Sequence, residues 1–442
     1  MLSESIMTIF LELVVVLGAM IIGIRLGSAA MGMMGCLGLM VLATVFNVAP
    51  TSPPVDVLLI IFAVVTAAGC MEACGGLNYL VKIASRIIRS NPRFVTILAP
   101  LVAYAFTIVA GTANIIFALH PVMYEVAYSQ KVRPERVMAN ATLAGQFGIV
   151  ASPISAAMGA MIGLFAGYDL NSFGLTQIWM ISLPATFIAV IVTSCIMMFY
   201  GKELEEDPEY QRRLKAGLIE PPEVKEFGQI DVRAKISVLI FCLAVLVVML
   251  AGFFPQISTI GGKTLGTSTI IECVMMAAGA VIILVCRPSL TDVVESPTFK
   301  SGISSISIIF GIAWLADSFI QANNAQIMAL AGNIVEVAPW AFTFVLWVMC
   351  VMLQSQAAAT RAIMPLGLAI GLSPEYLIAM FPAVCGIAIL PIAGPLLSAV
   401  SFDRTGTTHI GKYLINHSFF VPMVLLVAIS VSAGFILVNI LF

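Results

Sequence analysis

Twelve apolar runs set the pattern of this chain, at residues 6–24, 27–47, 55–73, 94–128, 137–166, 174–200, 236–255, 268–286, 301–319, 340–372, 375–401 and 417–442. A helix needs about 20 apolar residues to cross a bilayer. Ten runs suit one crossing each. Runs 94–128 and 340–372 are too long for one crossing and tight for two, with only about 16 residues per arm. They are expected to be re-entrant helical hairpins, entering and leaving on the same side. Their polar tips are Gly111-Thr112-Ala113-Asn114 and Gln354-Ser355-Gln356. Runs 137–166 and 375–401 are interrupted, at Ala151-Ser152-Pro153 and at Pro391-Ile392-Ala393-Gly394-Pro395. The predicted architecture is an all-α polytopic membrane protein with about ten transmembrane helices, two of them broken, plus two hairpins.

Composition agrees with the pattern. Of 442 residues, 60% are hydrophobic and 10% charged, against about 25% charged in ordinary soluble domains. A soluble enzyme, a nucleic-acid binder and a disordered protein are excluded. The nine cysteines lie in or at the ends of apolar runs. Cys70 and Cys74 share a helix face, and packing is the plainer reading. No metal, cofactor or disulfide framework is expected. The first cation, Arg25, follows the first apolar stretch, so no cleaved signal peptide is expected at the start.

Charge placement supplies a topology. With the N-terminus outside, 19 of the 21 Lys and Arg residues fall on the inner side, as the positive-inside rule requires. Lys263 falls outside, and Arg361 lies within the second hairpin. Both termini are then outside. Segment 201–235, with its clustered charges and three prolines, is expected to be a solvated cytoplasmic linker.

The order of elements occurs twice. Residues 1–200 run three helices, an amphipathic segment (75–91), a hairpin, an interrupted helix and a helix. Residues 236–442 repeat that order, with the amphipathic segment at 320–338. Each unit has five full crossings, an odd number, so the second copy is inverted. Inverted repeats with a broken helix in each mark secondary transporters. Non-helical backbone at membrane depth survives where protein or a water-filled site covers it.

The chemistry at the breaks suits an anion. The first N–H groups of each new helix are unpartnered and carry about half a positive charge. Several such termini aimed at one place make an anion site. The candidate substrate-binding residues are Gly111, Thr112, Asn114, Ser152, Pro153, Ser155, Ser355, Gln356, Thr360, Arg361 and Gly394. Arg361 either contacts substrate, its fork suiting a carboxylate, or snorkels, or pairs with an acid such as Asp317. Glu72 and Asp317 hold matching places before the two tips. They carry protons, hold a coupling cation, or brace the moving part. Glu12 and Glu272 are expected in scaffold helices, bonded between helices. His120 is expected to pack by hydrogen bonds, though a titrating role stays open. The glycines Gly18, Gly23, Gly27, Gly32, Gly35 and Gly38 favour close packing in the first two spans. No catalytic set is present: there is no GxGD pair, Ser-His pair or HExxH, so a membrane-embedded enzyme is disfavoured. A channel fits opposed hairpins poorly.

Several motifs, in order, carry a resemblance. They are Asn91-Pro92-Arg93-Phe94-Val95-Thr96-Ile97-Leu98-Ala99-Pro100 with Ala110-Gly111-Thr112-Ala113-Asn114; Ala151-Ser152-Pro153-Ile154-Ser155-Ala156-Ala157; Gly311 to Asp317; Ser355-Gln356-Ala357-Ala358-Ala359; and Asp403-Arg404-Thr405-Gly406-Thr407-Thr408 with Gly411-Lys412. Together they resemble the anaerobic C4-dicarboxylate transporter (Dcu) family over essentially the whole chain. The resemblance implies a bacterial inner-membrane antiporter, exchanging fumarate, malate or aspartate for succinate. It also implies a homodimer in which a transport domain slides past a scaffold. The rival expectation is a sodium- or proton-coupled dicarboxylate symporter.

Overall fold

A computed structural model describes every residue except 1, 27, 171, 220–229, 255, 261–262, 327–337, 390–392 and 412–415. The helices are α1 (Leu2–Leu26), α2 (Ser28–Val45), α3 (Val55–Ala73), α4 (Gly76–Ser90), α5 (Val95–Ala110), α6 (Ile115–Ser129), α7 (Pro134–Ala151), α8 (Ala156–Gly167), α9 (Leu175–Met197), α10 (Pro208–Lys215), α11 (Val232–Phe253), α12 (Thr267–Cys286), α13 (Leu290–Glu295), α14 (Pro297–Ile308), α15 (Trp314–Ala322), α16 (Phe342–Leu353), α17 (Gln356–Ala369), α18 (Pro374–Met380), α19 (Gly394–Phe402) and α20 (Phe420–Leu441). A two-residue ribbon, Thr259–Ile260 against Lys263–Thr264, interrupts the helical pattern.

Among the described residues, eight helical stretches are long and apolar enough to cross a bilayer. The apolar parts of α1 and α2, Met7–Gly23 and Ala30–Val45, are shorter. Pro92–Ala110, the first arm of run 94–128, has the length of a full span. It turns at Gly111 and returns as α6, which packs beside it. Run 340–372 is α16 and α17, also packed side by side.

Local sequence explains the element ends. Pro134, Pro208, Pro297 and Pro374 each open a helix, where a missing N–H costs nothing. α4 buries Leu80, Val81, Ala84 and Ile88 along one stripe, and its Arg89 reaches Glu125 of α6 at 2.6 Å. Between α14 and α15 the helix widens into a π-turn at Ile309–Ala313.

The glycines of α2 make the close approaches expected of them. Gly23 and Gly38 do approach the α1–α2 contact, against Met31 and Ala19. Gly32 and Gly35 instead meet the backbone at Ser307 and Gly311, so the closest approach is between α2 and the π-turn. A Cβ at Gly311 would collide with the Gly32 carbonyl. Gly311→Val should therefore destabilise the fold by about 1–3 kcal/mol, the usual cost of overpacking. A thermal melt of the detergent-purified protein would show the lower Tm; an unchanged Tm would mean that the helices can separate.

The segment after α9 is not wholly solvated. Leu204 and Asp207 are buried. Arg133 pairs with Asp207 at 3.3 Å, Arg136 with Glu203 at 3.0 Å and Lys131 with Glu205 at 2.7 Å. Arg136 also donates to the Tyr200 carbonyl at 2.7 Å, and Arg213 to that of Arg404 at 3.2 Å. Arg212 and Arg213 hold the Glu209 carboxyl well below its ordinary range, at about 2. Residues 203–217 thus dock on the turn between α6 and α7 and on the turn after α19. Of the amphipathic segment expected at 320–338, residues 327–337 lie outside the described residues.

Candidate functional site

The first tip and the first break form one unit. Gly111 ends α5 in the left-handed region (φ +70°), which glycine adopts without strain. A Cβ there would stand 3.1 Å from Ile154 of the break. Ser152 Oγ donates to the Ile108 carbonyl at 2.8 Å. The Asn114 N–H approaches Thr112 Oγ1 at 3.3 Å. Pro153 cannot continue the helix, and the freed Ala151 carbonyl accepts from Trp179 Nε1 at 2.6 Å. Ser155 then caps α8, accepting from the Met158 N–H at 3.0 Å.

The second tip is tied to the second break in the same manner. Gln354 ends α16 with φ +50°. Its Nε2 donates to the carbonyls of Val351 (2.7 Å) and Ile387 (3.3 Å). Trp347 Nε1 donates to the Gly386 carbonyl at 2.9 Å, and the Cys350 thiol to that of Val384. Ser355 caps α17 through the Ala358 N–H at 3.3 Å. Thr360 Oγ1 turns back to the Gln356 carbonyl at 2.7 Å. The irregular backbone starts earlier than the sequence suggested. α18 stops at Met380, and short 3₁₀ turns at Phe381–Cys385 and Ile387–Ile389 follow. Pro382, without an N–H to donate, ends the α-helical pattern. Residues Pro391 and Ile392 of the expected interruption lie outside the described residues. Gly394 opens α19, and a Cβ on it would stand 3.2 Å from Phe117 of α6.

The two halves interlock. α17 packs on α8, and α19 packs on α6. Gln356 Nε2 donates to Gln146 Oε1 of α7 at 2.8 Å. His120, fully buried, joins α6 to Ser398 of α19 (2.8 Å) and Thr142 of α7 (2.9 Å), the packing arrangement expected of it.

Three of the candidate substrate-binding residues line cavities, in two separate spaces. Gly111 and Thr112 face a crevice of about 70 Å³, large enough for about two waters. Its far wall carries Thr298, Ser301 and Ser305 of α14. These hydroxyls and Gln146 were missed in the sequence. The signal was present as a helical-period row of hydroxyls and as an amide well inside an apolar run. Arg361 is elsewhere, five residues along α17 from the tip. It forms an ion pair with Asp317 of α15 at 2.9 Å, and its Nε is buried with no hydrogen-bond partner. The pair borders a cavity of about 550 Å³ shared with Tyr168, Gln321 and the loop Pro50–Pro54. That loop is pinned to α15 by Trp314 Nε1 on the Thr51 carbonyl (2.6 Å) and by the Thr51 N–H on Ser318 Oγ (3.1 Å).

Glu72 and Asp317 are not neighbours in role. Glu72 accepts from the Thr298 N–H at 3.2 Å, bracing the start of α14, where a carboxylate is favoured. Glu12 accepts from Asn323 at 2.6 Å, a helix-to-helix bond of the kind expected. Among the described residues no three His, Cys, Asp or Glu side chains converge as a metal site.

The chain resembles known transporters over its whole length. Residues 8–442 match the DcuA_DcuB family, described as "anaerobic C4-dicarboxylate membrane transporter". The C4-dicarboxylate transporter DcuA of Escherichia coli K12 is 38% identical over 431 residues, covering 96% of this chain and 98% of that one. The anaerobic C4-dicarboxylate transporter DcuB of Escherichia coli O6:H1 is 35% identical over 439 residues, covering 96% and 97%. The fold is similar to the YdaH transporter of Alcanivorax borkumensis, with TM-score 0.57, 16% identity, and 91% and 88% coverage. It is also similar to MtrF of Neisseria gonorrhoeae, with TM-score 0.52, 14% identity, and 91% and 84% coverage. The relatives are carriers, not enzymes. With its apolar helices, paired hairpin tips and broken helices, the chain belongs to the anaerobic C4-dicarboxylate membrane transporter family.

Proposed function

We propose that this protein exchanges C4-dicarboxylates across a bacterial inner membrane, taking up fumarate, malate or aspartate against succinate. The observation that carries this reading is Arg361, a buried guanidinium with one donor unused and a cavity beside it. A buried cation at membrane depth is costly and marks a substrate path, and its fork matches a carboxylate. The other carboxylate would meet the tips and the helix starts after Ser155, Ser355 and Gly394, where unpartnered N–H groups favour negative charge, once movement of the hairpins joins the two spaces.

The geometry also supports a reason for exchange. Asp317 rides on α15, which packs against α1 and α2 and also against α17, whereas Arg361 belongs to the second hairpin. The pair therefore ties the proposed transport domain (94–128, 137–166, 340–372 and 375–401) to a helix that lies against the proposed scaffold (6–47 and 236–286). In the empty carrier it acts as a latch. A substrate carboxylate replaces Asp317 at Arg361 and frees the transport domain to slide. Only the loaded carrier then crosses, in each direction. Two inverted repeats, 1–200 and 236–442, joined by 201–235, would supply the alternating access. A homodimer would hold the scaffold still.

Labelled fumarate uptake into proteoliposomes in sodium-free buffer tests the exchange. Uptake is expected only when succinate is loaded inside. Uptake into empty vesicles that starts when sodium or a proton gradient is added would replace exchange by symport.

A further inference from the structure

A further cavity lies where α4 meets α11. It has a volume of about 450 Å³ and presents Lys82, Arg86 and Lys235 together with Tyr79. Beside it runs an apolar groove of about 560 Å³. The groove is walled by Ala105, Phe106 and Val109 of α5 on one side and by Val238 and Leu239 of α11 on the other. The two spaces share Tyr79, Ile83 and Lys235, so they are continuous. Three cations at one end and an apolar trough at the other match a molecule with an anionic head and an acyl tail.

We propose that this is a binding site for an anionic phospholipid of the cytoplasmic leaflet. Its phosphate would sit among Lys82, Arg86 and Lys235, and one acyl chain would lie between Phe106 and Leu239. The location fits, given the topology above. α4 is amphipathic, with its cations turned from the core, and basic pockets between helices on the cytoplasmic side suit such head groups. A free phosphate would leave the groove unused. A zwitterionic lipid would fill the groove but bring no net charge to the three cations. The site also touches both proposed bodies: α5 belongs to the first hairpin and α11 to the scaffold. A lipid seated there bears on the sliding surface at its cytoplasmic edge.

Native mass spectrometry of the full chain, delipidated in detergent, tests this. Phosphatidylglycerol and phosphatidylethanolamine with the same acyl chains are added back separately, and glycerol 3-phosphate is added as a competitor. Phosphatidylglycerol should be retained about tenfold better than phosphatidylethanolamine. Each cation removed should weaken its retention roughly fivefold, so that Lys235→Gln shows a partial loss and Lys82→Gln/Arg86→Gln/Lys235→Gln shows no preference. Val109→Trp, which fills the groove and spares the cations, should also weaken retention. Equal binding of the two lipids, or full retention by a monodisperse Lys235→Gln and by the triple variant, would overturn the site. Displacement by millimolar glycerol 3-phosphate, with no effect of Val109→Trp, would overturn the lipid in favour of a free anion. None of these readouts depends on transport, so failure of the exchange reading leaves the result interpretable.

Discussion

Arg361→Gln is expected to cut succinate-driven fumarate uptake by at least about 100-fold. Two effects add. The substrate loses its one forked cation, and Asp317 is left buried without its partner. Removing one member of a buried ion pair costs about 3–5 kcal/mol. The second effect threatens folding as well as transport, so the double variant Arg361→Gln/Asp317→Asn is the decisive control. With both charges gone the interior is neutral, and the fold should recover as judged by its melt. Transport should not recover, because the guanidinium is still missing. Arg361→Lys should fall between, since an ammonium keeps the charge and loses the fork. Near-normal exchange by the folded double variant would remove Arg361 from the substrate path.

Asp317→Asn alone should do the reverse of abolishing movement. The amide keeps the shape and can still accept from Arg361, but the attraction between two charges is lost. At about 4 Å that attraction is on the order of 1–4 kcal/mol, which is roughly 5- to 1000-fold in the closed-to-free ratio of the latch. The empty carrier should then cross. Uptake into vesicles without internal succinate should rise toward the exchange rate, and the apparent affinity for fumarate should increase because no side-chain carboxylate competes. If Asp317 instead carried a coupling proton or cation, the same change would abolish ion-dependent uptake and leave empty-vesicle uptake at background. The two readings of this residue thus move one measurement in opposite directions.

The positions of the hairpins and of the first break were legible because each is written locally: Gly111 at a left-handed turn, Pro153 at a helix end, Ser155 and Ser355 at caps. Arg361 with Asp317 was visible as one of several pairings, and its cavity was not. The cavity depends on how loop 50–54 folds over α15, a contact more than 260 residues apart. The glycines of α2 announced a close approach but not the neighbour; small residues say that something comes near, not what. Gln146 escaped because it breaks no helix and lies in an otherwise buried run. The docking of the linker escaped for a related reason. Asp207 looks solvated until Arg133, some 70 residues earlier, is seen opposite it.

That docked linker also has a mechanical meaning. Residues 203–217 are fastened to the ends of the first hairpin and of the second broken helix, both in the part proposed to move. α11 begins at Val232 in the part proposed to stay. The fourteen residues from Leu218 to Asp231 are the covalent leash between them. At 3.3–3.6 Å per residue their contour is at most about 50 Å. Whatever stroke the carrier makes, and however substrate drives it, this length of chain sets its outer limit.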